Sequence, residues 1–508
     1  MVTRRTLLKQ GACAALAWRA APALIGTAYA ATLSGFDYYI GPNGEDTNPG
    51  TYAKPWSITA INTHRAVYAG KRVGLLDGTY NVHALCQKGG GNVPALGVNG
   101  GPNAATPTVI AAVNPRQAIL TAANPLNGAY ATAACPIIGQ GYLQTQNKGN
   151  VIIDGLYLTR SYQYAIAFYA PVGQAFMTTH VEGGSTGFVV RNCEIYDIAG
   201  LINNNVAGIL LYYCTGALLS NNKIHSIQPP NVQNASLGDC AGIISFNSHA
   251  NIYQYNTIYD CNVGIYDKNN YNGNHTYRYN YIECAGLTPF AALNDCAGGN
   301  PGDTLTVHNN ILQGPSIWNG VDALVVPSAQ GLVFYNNTCV YGAGQKAGYG
   351  MTYPAKANTI SPAAMVTFYN NIMQCAGEVG YAGIVNLCQG SIRLSDYNAF
   401  SCASGTPLIA LATLAQPRGI PKVYSLTQWR SVTGMDYHSS TSAPLFMSAQ
   451  DRTATGLQLR SGSPALSAGR AGGVSTGAPT ELGAWGGGAT QIGCNFGPAP
   501  KPVSLSVT

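Results

Sequence analysis

Charge is what this chain has least of. Asp, Glu, Lys and Arg together make up 9% of its 508 residues, and only 20 of those side chains are acidic. Nucleic acid is excluded as a partner, because no face carries the clustered Lys and Arg that such binding needs. The net charge of +6 overstates even the small basic excess. Arg4, Arg5, Lys9 and Arg19 lie in an N-terminal segment read below as removable, which leaves 22 basic against 20 acidic residues. None of the 14 cysteines stands in a Cys-x-x-Cys pair, which argues against zinc. No run approaches the ~18 apolar residues of a membrane span, so none is expected in the mature chain. Gly-rich stretches such as Gly89-Gly90-Gly91 lack the following Lys-Ser/Thr of a phosphate loop.

What the chain does have is 61 Gly, 32 Tyr and a recurring line of alternating apolar residues ending in Asn, one residue, then Ile or a relative. The line ends at Ile224, Ile258, Ile282, Ile311, Cys339 and Ile372, at intervals of 34, 24, 29, 28 and 33 residues. Repeats of that size, each a short strand with its turn, mark a solenoid. A second landmark precedes the first by about ten residues: Ala207-Gly208-Ile209, Ala241-Gly242-Ile243 and Val263-Gly264-Ile265. Short strands divided by polar turns, with no long amphipathic stretch, describe a stacked parallel coil. Asn222, Asn256, Asn280, Asn309, Asn337 and Asn370 are expected to stack at one turn of successive coils, each amide bonding backbone and neighbour.

Residues 1–30 read as a bacterial twin-arginine export signal: Thr3-Arg4-Arg5-Thr6-Leu7-Leu8-Lys9, a weakly apolar Ala-rich run, then Ala28-Tyr29-Ala30 as cleavage site. The mature protein is therefore expected in the periplasm or secreted. Removing Cys13 leaves thirteen cysteines, so at least one thiol stays free or pairs elsewhere. Cys284 with Cys296 and Cys375 with Cys388 are near neighbours that could bond outside the cell.

The mature start runs Asp37-Tyr38-Tyr39-Ile40-Gly41-Pro42-Asn43-Gly44, then reaches Gly70-Lys71-Arg72-Val73-Gly74-Leu75-Leu76-Asp77-Gly78-Thr79-Tyr80. These motifs resemble the opening of secreted right-handed parallel β-helix proteins of the pectate-lyase-like superfamily, polysaccharide lyases among them. The string from Ser395-Asp396-Tyr397-Asn398 through Trp429 and Met435-Asp436-Tyr437-His438 resembles the segment that closes such a stack. The resemblance covers most of residues 36–485 and implies an all-β, right-handed parallel β-helix over 31–395 with an N-terminal cap. Residues 396–508 would be its closing segment and tail. His438 falls in that closing segment and is read as structural.

Alternation along Val263–Asn269 puts Ile265 and Asp267 on one face and Tyr266 and Lys268 on the other. Ile209, Ile243 and Ile265 belong inside, so Tyr212, Phe246 and Lys268 should form an outward column on three successive coils. An aromatic column beside a cation suits a long sugar chain: rings pack on sugar faces and the cation meets a carboxylate or takes a proton. The resemblance implies a Lys as Brønsted base and Ca²⁺ held by Asp residues. On that pattern Lys268, Asp267 and His275 are the catalytic candidates. Tyr212, Phe246, Tyr266, Asn247, Asn269, His249 and Asn294 are the substrate-binding candidates, and Asp239, Asp267 and Asp295 the calcium ligands. This acidic set is sparser than the three or four carboxylates usual in such lyases, and a hard cation wants six or more oxygens. An ordinary solvated Asp267–Lys268 pair is the plain alternative.

The expected function is β-elimination of an acidic, uronic-acid-containing polysaccharide by a monomeric exported lyase. Hydrolysis ranks second, since no Asp-Asp or Asp-x-x-x-Asp occurs in the recurring strands to supply paired carboxylates. Epimerisation shares the first step of elimination. A non-catalytic glycan-binding surface or matrix protein is the alternative from another class.

Overall fold

The computed structural model describes residues 35–88, 93–130, 135–141, 148–169, 186–200, 205–227, 240–268, 273–284, 288–293, 304–314, 331–341, 351–353, 366–378, 385–388, 392–404, 409–412, 422–448, 456–466 and 468–469. The chain winds as a parallel β-helix, placing one strand in each of three sheets per turn. The first sheet has twelve strands, from Tyr38–Ile40 to Ile392–Asp396, and the second has eleven, from Gly78–Asn81 to Ala399–Ser404. The third runs Leu96–Gly97, Ile138–Gln140, Tyr164–Tyr169, Val206–Tyr212, Cys240–Phe246, Val263–Lys268 and Thr288–Leu293. All pairings within these three sheets are parallel, as a single chain rising through a solenoid requires. A further four-stranded sheet joins Met351–Tyr353, Val385–Cys388, Ile409–Ala412 and Lys422–Tyr424, the last pair antiparallel.

The corner between the first and second sheets explains the Asn repeat. At each turn one residue takes the left-handed conformation (Asn192, Asn221, Tyr255, Tyr279, Asn309, Asn336, Asn370 and Tyr397, φ 54–57°) and swings the chain into the next sheet. The residue after it points inward. Asn222, Asn256, Asn280, Asn310, Asn337, Asn371 and Asn398 fill that position. The Oδ1 of Asn256 accepts from both N and Nδ2 of Asn222 at 3.1 and 3.0 Å, and Asn280, Asn310, Asn337, Asn371 and Asn398 repeat the pattern. All are buried, so every amide replaces its lost water with a protein partner.

Two expected rungs therefore move by one residue. Asn309 and Asn370 are the left-handed turn residues, and Asn310 and Asn371 are the rungs. Ile282 pairs with Leu312 rather than Ile311, and Ile311 and Ile372 belong to an apolar cluster outside the coil. In an Asn-Asn pair both residues suit both positions, so sequence alone leaves the one-residue choice open.

The Ala-Gly-Ile landmark has a steric cause. A Cβ on Gly208 would lie 2.7 Å from Ile224 Cγ2, and one on Gly242 would lie 2.6 Å from Ile258 Cγ2. The third sheet passes too close to the second at that point for any side chain. The core is the continuous apolar column inside the coil, with in-line stacks such as Phe334–Phe368–Phe400 and Tyr253–Tyr277.

Both ends are covered. At the start, Tyr38–Ile40 pairs with Arg72–Leu75, and the helical turns Ala60–Thr63 and Arg65–Tyr68 bury Ile61 and Tyr68. At the other end the ladder runs one coil further than the sequence suggests, through Asn398. The helix Leu426–Thr433, capped by Ser425, then buries Trp429. Asp436 accepts from Asn398 Nδ2 at 3.1 Å and from Trp429 Nε1 at 2.9 Å, which terminates the amide stack. His438 Nδ1 lies 2.7 Å from Asp396 Oδ2. Residues 1–30, expected to be an export signal, and the tail beyond 469 lie outside the described residues.

Candidate functional site

The third sheet carries the candidate site on its outer side. Register aligns Tyr169 with Tyr212, Tyr212 with Phe246, and Phe246 with Lys268. Ring centroids are 5.7 Å apart for Tyr169–Tyr212 and 5.6 Å for Tyr212–Phe246, one ring per rung. Around them Tyr164, Ala167, Ala207, Leu210, Ala241, Ile244, Val263 and Tyr266 form an apolar layer separate from the core inside the coil. Backbone register thus sets Tyr212, Phe246 and Lys268 on successive rungs, but the rings are not laid open. Phe246 is 9% exposed and Tyr266 5%, whereas Tyr212 is half-buried. Of the three aromatic candidates, only Tyr212 has a surface to offer.

Two candidates are not brought to this face. Asp267 aligns with Ser245 and Leu211, whose side chains belong to the interior, and is itself 4% exposed. Strand alternation demands this once Ile265 is inside. Burial pushes its carboxyl up to about 8, partly offset by a hydrogen bond from Ser245, so it is neutral at pH 7. His275 is fully buried at the corner between the third and first sheets. Its Nδ1 accepts from Asn251 N at 3.1 Å, just as Asn251 Oδ1 accepts from Ala217 N at 2.9 Å. His275 is therefore a rung of a second, shorter ladder, and its proton sits on Nε2. Burial holds its pKa down at about 3.

His249 bridges Thr215 and Gly273 on neighbouring coils, with Nε2 3.3 Å from Asn274 Nδ2. Asn247 follows Phe246 in the left-handed conformation (φ 46°), at the end of the strand Cys240–Phe246. Asn269, Asn294, Asp239 and Asp295 lie outside the described residues. Among the described residues no group of three or more His, Cys, Asp or Glu could hold a metal. The inward, neutral Asp267 does not fit an outer-face calcium site, which wants ionised oxygens converging on the cation.

Sequence reasoning missed Lys148. Its Nζ donates to the Tyr169 carbonyl at 2.7 Å, at the foot of the aromatic column. Burial lowers its pKa to about 8. It stands in a segment without either repeat landmark; the only hint is its place just before the strand Val151–Asp154.

The outer face of the second sheet is chemically richer but closed on itself. Glu194 takes Lys223 at 2.8 Å and His225 at 3.3 Å, with Arg116 at 3.7 Å. His225 stacks on Tyr259 at 4.7 Å and Tyr196 at 5.4 Å. Rings stacked on one another present edges, not faces, to a sugar.

No family model matches the sequence, and no curated protein does. Solved structures do. The chain is similar to pectate lyase Pel9A at 13% identity and a TM-score of 0.51, over 91% of this chain and 96% of that one. It is also similar to an alginate lyase from Paenibacillus sp. str. FPU-7 (14% identity, 64% of this chain and 97% of that one, TM-score 0.36). A third is the PL6 family polysaccharide lyase Pedsa3628 from Pseudopedobacter saltans (12% identity, 75% and 89%, TM-score 0.37). The likeness to pectate lyase Pel9A, spanning nearly all of both chains, makes the fold a right-handed parallel β-helix.

Proposed function

We propose that the protein is an exported polysaccharide lyase that cleaves a uronic-acid-containing chain by β-elimination along the outer face of the third sheet. The observation that carries this reading is the in-register column Tyr169–Tyr212–Phe246–Lys268 with Lys148 at its foot. Three strand spacings separate the two lysine levels, roughly 14 Å. They would serve different sugars of one chain: Lys148 pairs with one carboxylate, while Lys268 acts at another.

In the reaction Lys268, as the free amine, takes the proton from C5, α to the uronate carboxylate. The electron pair left behind forms the C4–C5 double bond as the glycosidic oxygen leaves C4 and takes up a proton. No water is consumed. The base must have a pKa well below the usual ~10.4 of lysine. Amide donors at the same end, Asn247 and, outside the described residues, Asn269 and Asn294, would steady the charge developing on the carboxylate. Calcium on Asp239 and Asp295 is a separate proposal, tested by running the assay with and without a chelator.

Pectate, alginate and glycosaminoglycans are incubated with the protein while ultraviolet absorbance of the unsaturated uronate is followed. Absorbance should rise with one of them, and Lys268→Ala should lower the rate by about 10²–10⁴-fold. An unchanged rate in that variant removes the assignment. The sparse acidic inventory, 20 Asp and Glu in 508 residues, favours a second reading, a glycan-binding protein without catalysis. Tight binding with no absorbance change on any polymer would establish it.

A further inference from the structure

Near the end of three successive second-sheet strands one residue takes the left-handed conformation: Asp197, Ser226 and Asp260, with φ 58°, 55° and 51°. The parallel ladder passes over them, pairing Tyr196 with His225 and His225 with Tyr259 just before. The turn belongs to every coil, but only the middle one puts an imidazole beside a hydroxyl. His225 Nδ1 lies 3.3 Å from Ser226 Oγ, and its Nε2 lies 3.3 Å from Glu194 Oε1 on the coil below. Glu194 is held in turn by Lys223 Nζ at 2.8 Å and by Arg116 at 3.7 Å. Tyr196 and Tyr259 stack on the two faces of the imidazole, whose side chain is 15% exposed. Ser226 Oγ also reaches Asp260 Oδ2 at 2.9 Å, on the exposed rim. With its proton assigned to Nε2, where Glu194 accepts it, the imidazole turns the Nδ1 lone pair toward Ser226.

We propose that Ser226, His225 and Glu194 form a second catalytic site, on the outer face of the second sheet, that hydrolyses an ester carried by a polysaccharide. The ester is an O-acyl group on a sugar hydroxyl or the methyl ester of a uronate. The site stands apart from the third-sheet column and needs no elimination there. A nucleophile within reach of a base, and a base oriented by a third group, is the arrangement acyl transfer requires, on any fold. Such contacts are commonly looser before substrate binds than the ~2.6–3.2 Å they reach with it. Burial keeps His225 below its ordinary pKa, so it is a neutral base at pH 7. Burial raises the Glu194 carboxyl, but hydrogen bonds from Lys223 and His225 outweigh it and hold that group below its ordinary value. In the reaction the Ser226 hydroxyl turns from Asp260 to His225, Oγ attacks the ester carbonyl carbon, and Nδ1 takes the hydroxyl proton. The bond to the alcohol oxygen breaks, and that oxygen leaves with the proton from Nδ1. Water then attacks the acyl–Ser226 carbon, gives a proton to Nδ1, and Ser226 leaves by taking it back. One ester and one water become one acid and one alcohol. Glu194 touches no reacting atom and acts as a positioning residue.

The full chain is assayed with p-nitrophenyl acetate, then with acetylated and with methyl-esterified uronate polymers, following nitrophenolate, acetate and methanol. Turnover should exceed the buffer rate on the first and on one of the two polymers, and the product released names the ester. Ser226→Ala should fall to the buffer rate, and His225→Gln should lose about 10²–10⁴-fold. Glu194→Gln should keep part of the rate and move the acid limb of the pH profile to lower pH, because an imidazole without its carboxylate is harder to protonate. A fluorophosphonate probe tests the wild type with no substitution: it should label Ser226, located by mass spectrometry of the digest. A wild type that turns over neither polymer, a probe that leaves Ser226 unlabelled, or a Ser226→Ala variant as fast as the wild type overturns the proposal.

Discussion

The two corners that flank the first sheet solve the same problem differently. Each must bury polar backbone where the chain turns. Between the first and second sheets every coil from 222 to 398 uses an Asn, and each amide passes its hydrogen bonds to the next. Between the third and first sheets the ladder is short and mixed: Ala217, Asn251, then His275, with Nε2 of the histidine finding no partner among the described residues. A regular corner can be built from one repeated residue because the turn is always two residues long. Where connection length varies, the register of side chains varies too, and titratable groups enter the interior singly. Periodic burial of polar groups is structural; aperiodic burial makes stability depend on pH.

Three substitutions sharpen that contrast, in order of expected effect. Asp267 is protonated in the folded chain up to about pH 8, whereas unfolded it ionises near 3.8. The folded state then binds the extra proton between those values, so stability falls as pH rises from 4 to 8. Asp267→Asn should flatten the curve by about 4 kcal/mol between pH 4 and pH 7, read by denaturant unfolding. A parallel pair of curves would mean the carboxyl is ionised inside.

Next, Asn280→Ala leaves Asn256 N and Nδ2 without their acceptor and Tyr253 O without its donor. A loss of about 3 kcal/mol at any pH between 4 and 8 is expected from the same unfolding measurement. Third, His275 is neutral in the folded chain down to about pH 3, so the unfolded state takes a proton first and stability is lost as pH falls from 6.5 toward 3. His275→Asn keeps an acceptor for Asn251 N and should gain about 2 kcal/mol relative to wild type at pH 5, and little at pH 8. If the gain is the same at both values, His275 is not the buried neutral rung described here.

The coil was legible because its causes are periodic. Gly208 and Gly242 mark the close approach of two sheets, Asn222 to Asn337 mark the corner, and the Gly-Thr-Tyr at 78–80 marks the second sheet's first strand. The candidate site was legible only in part. Register could be extrapolated from Tyr212 and Phe246 to Lys268, but burial could not, since it depends on what packs over a face from distant segments. Alternation already set Asp267 beside the interior Ile265, and its burial leaves it no part in the catalytic and calcium roles its chemistry suggested. Lys148 escaped because it lies in a connection that carries no repeat.

The most direct test compares turnover per folded molecule in Lys268→Ala and Asn280→Ala on whichever uronate polymer the wild type cleaves. Lys268→Ala should keep the wild-type unfolding midpoint and lose about 10²–10⁴ in rate, while Asn280→Ala loses stability and keeps its rate. Full activity in folded Lys268→Ala would contradict the account, because the outer column of the third sheet would then have no part in the chemistry.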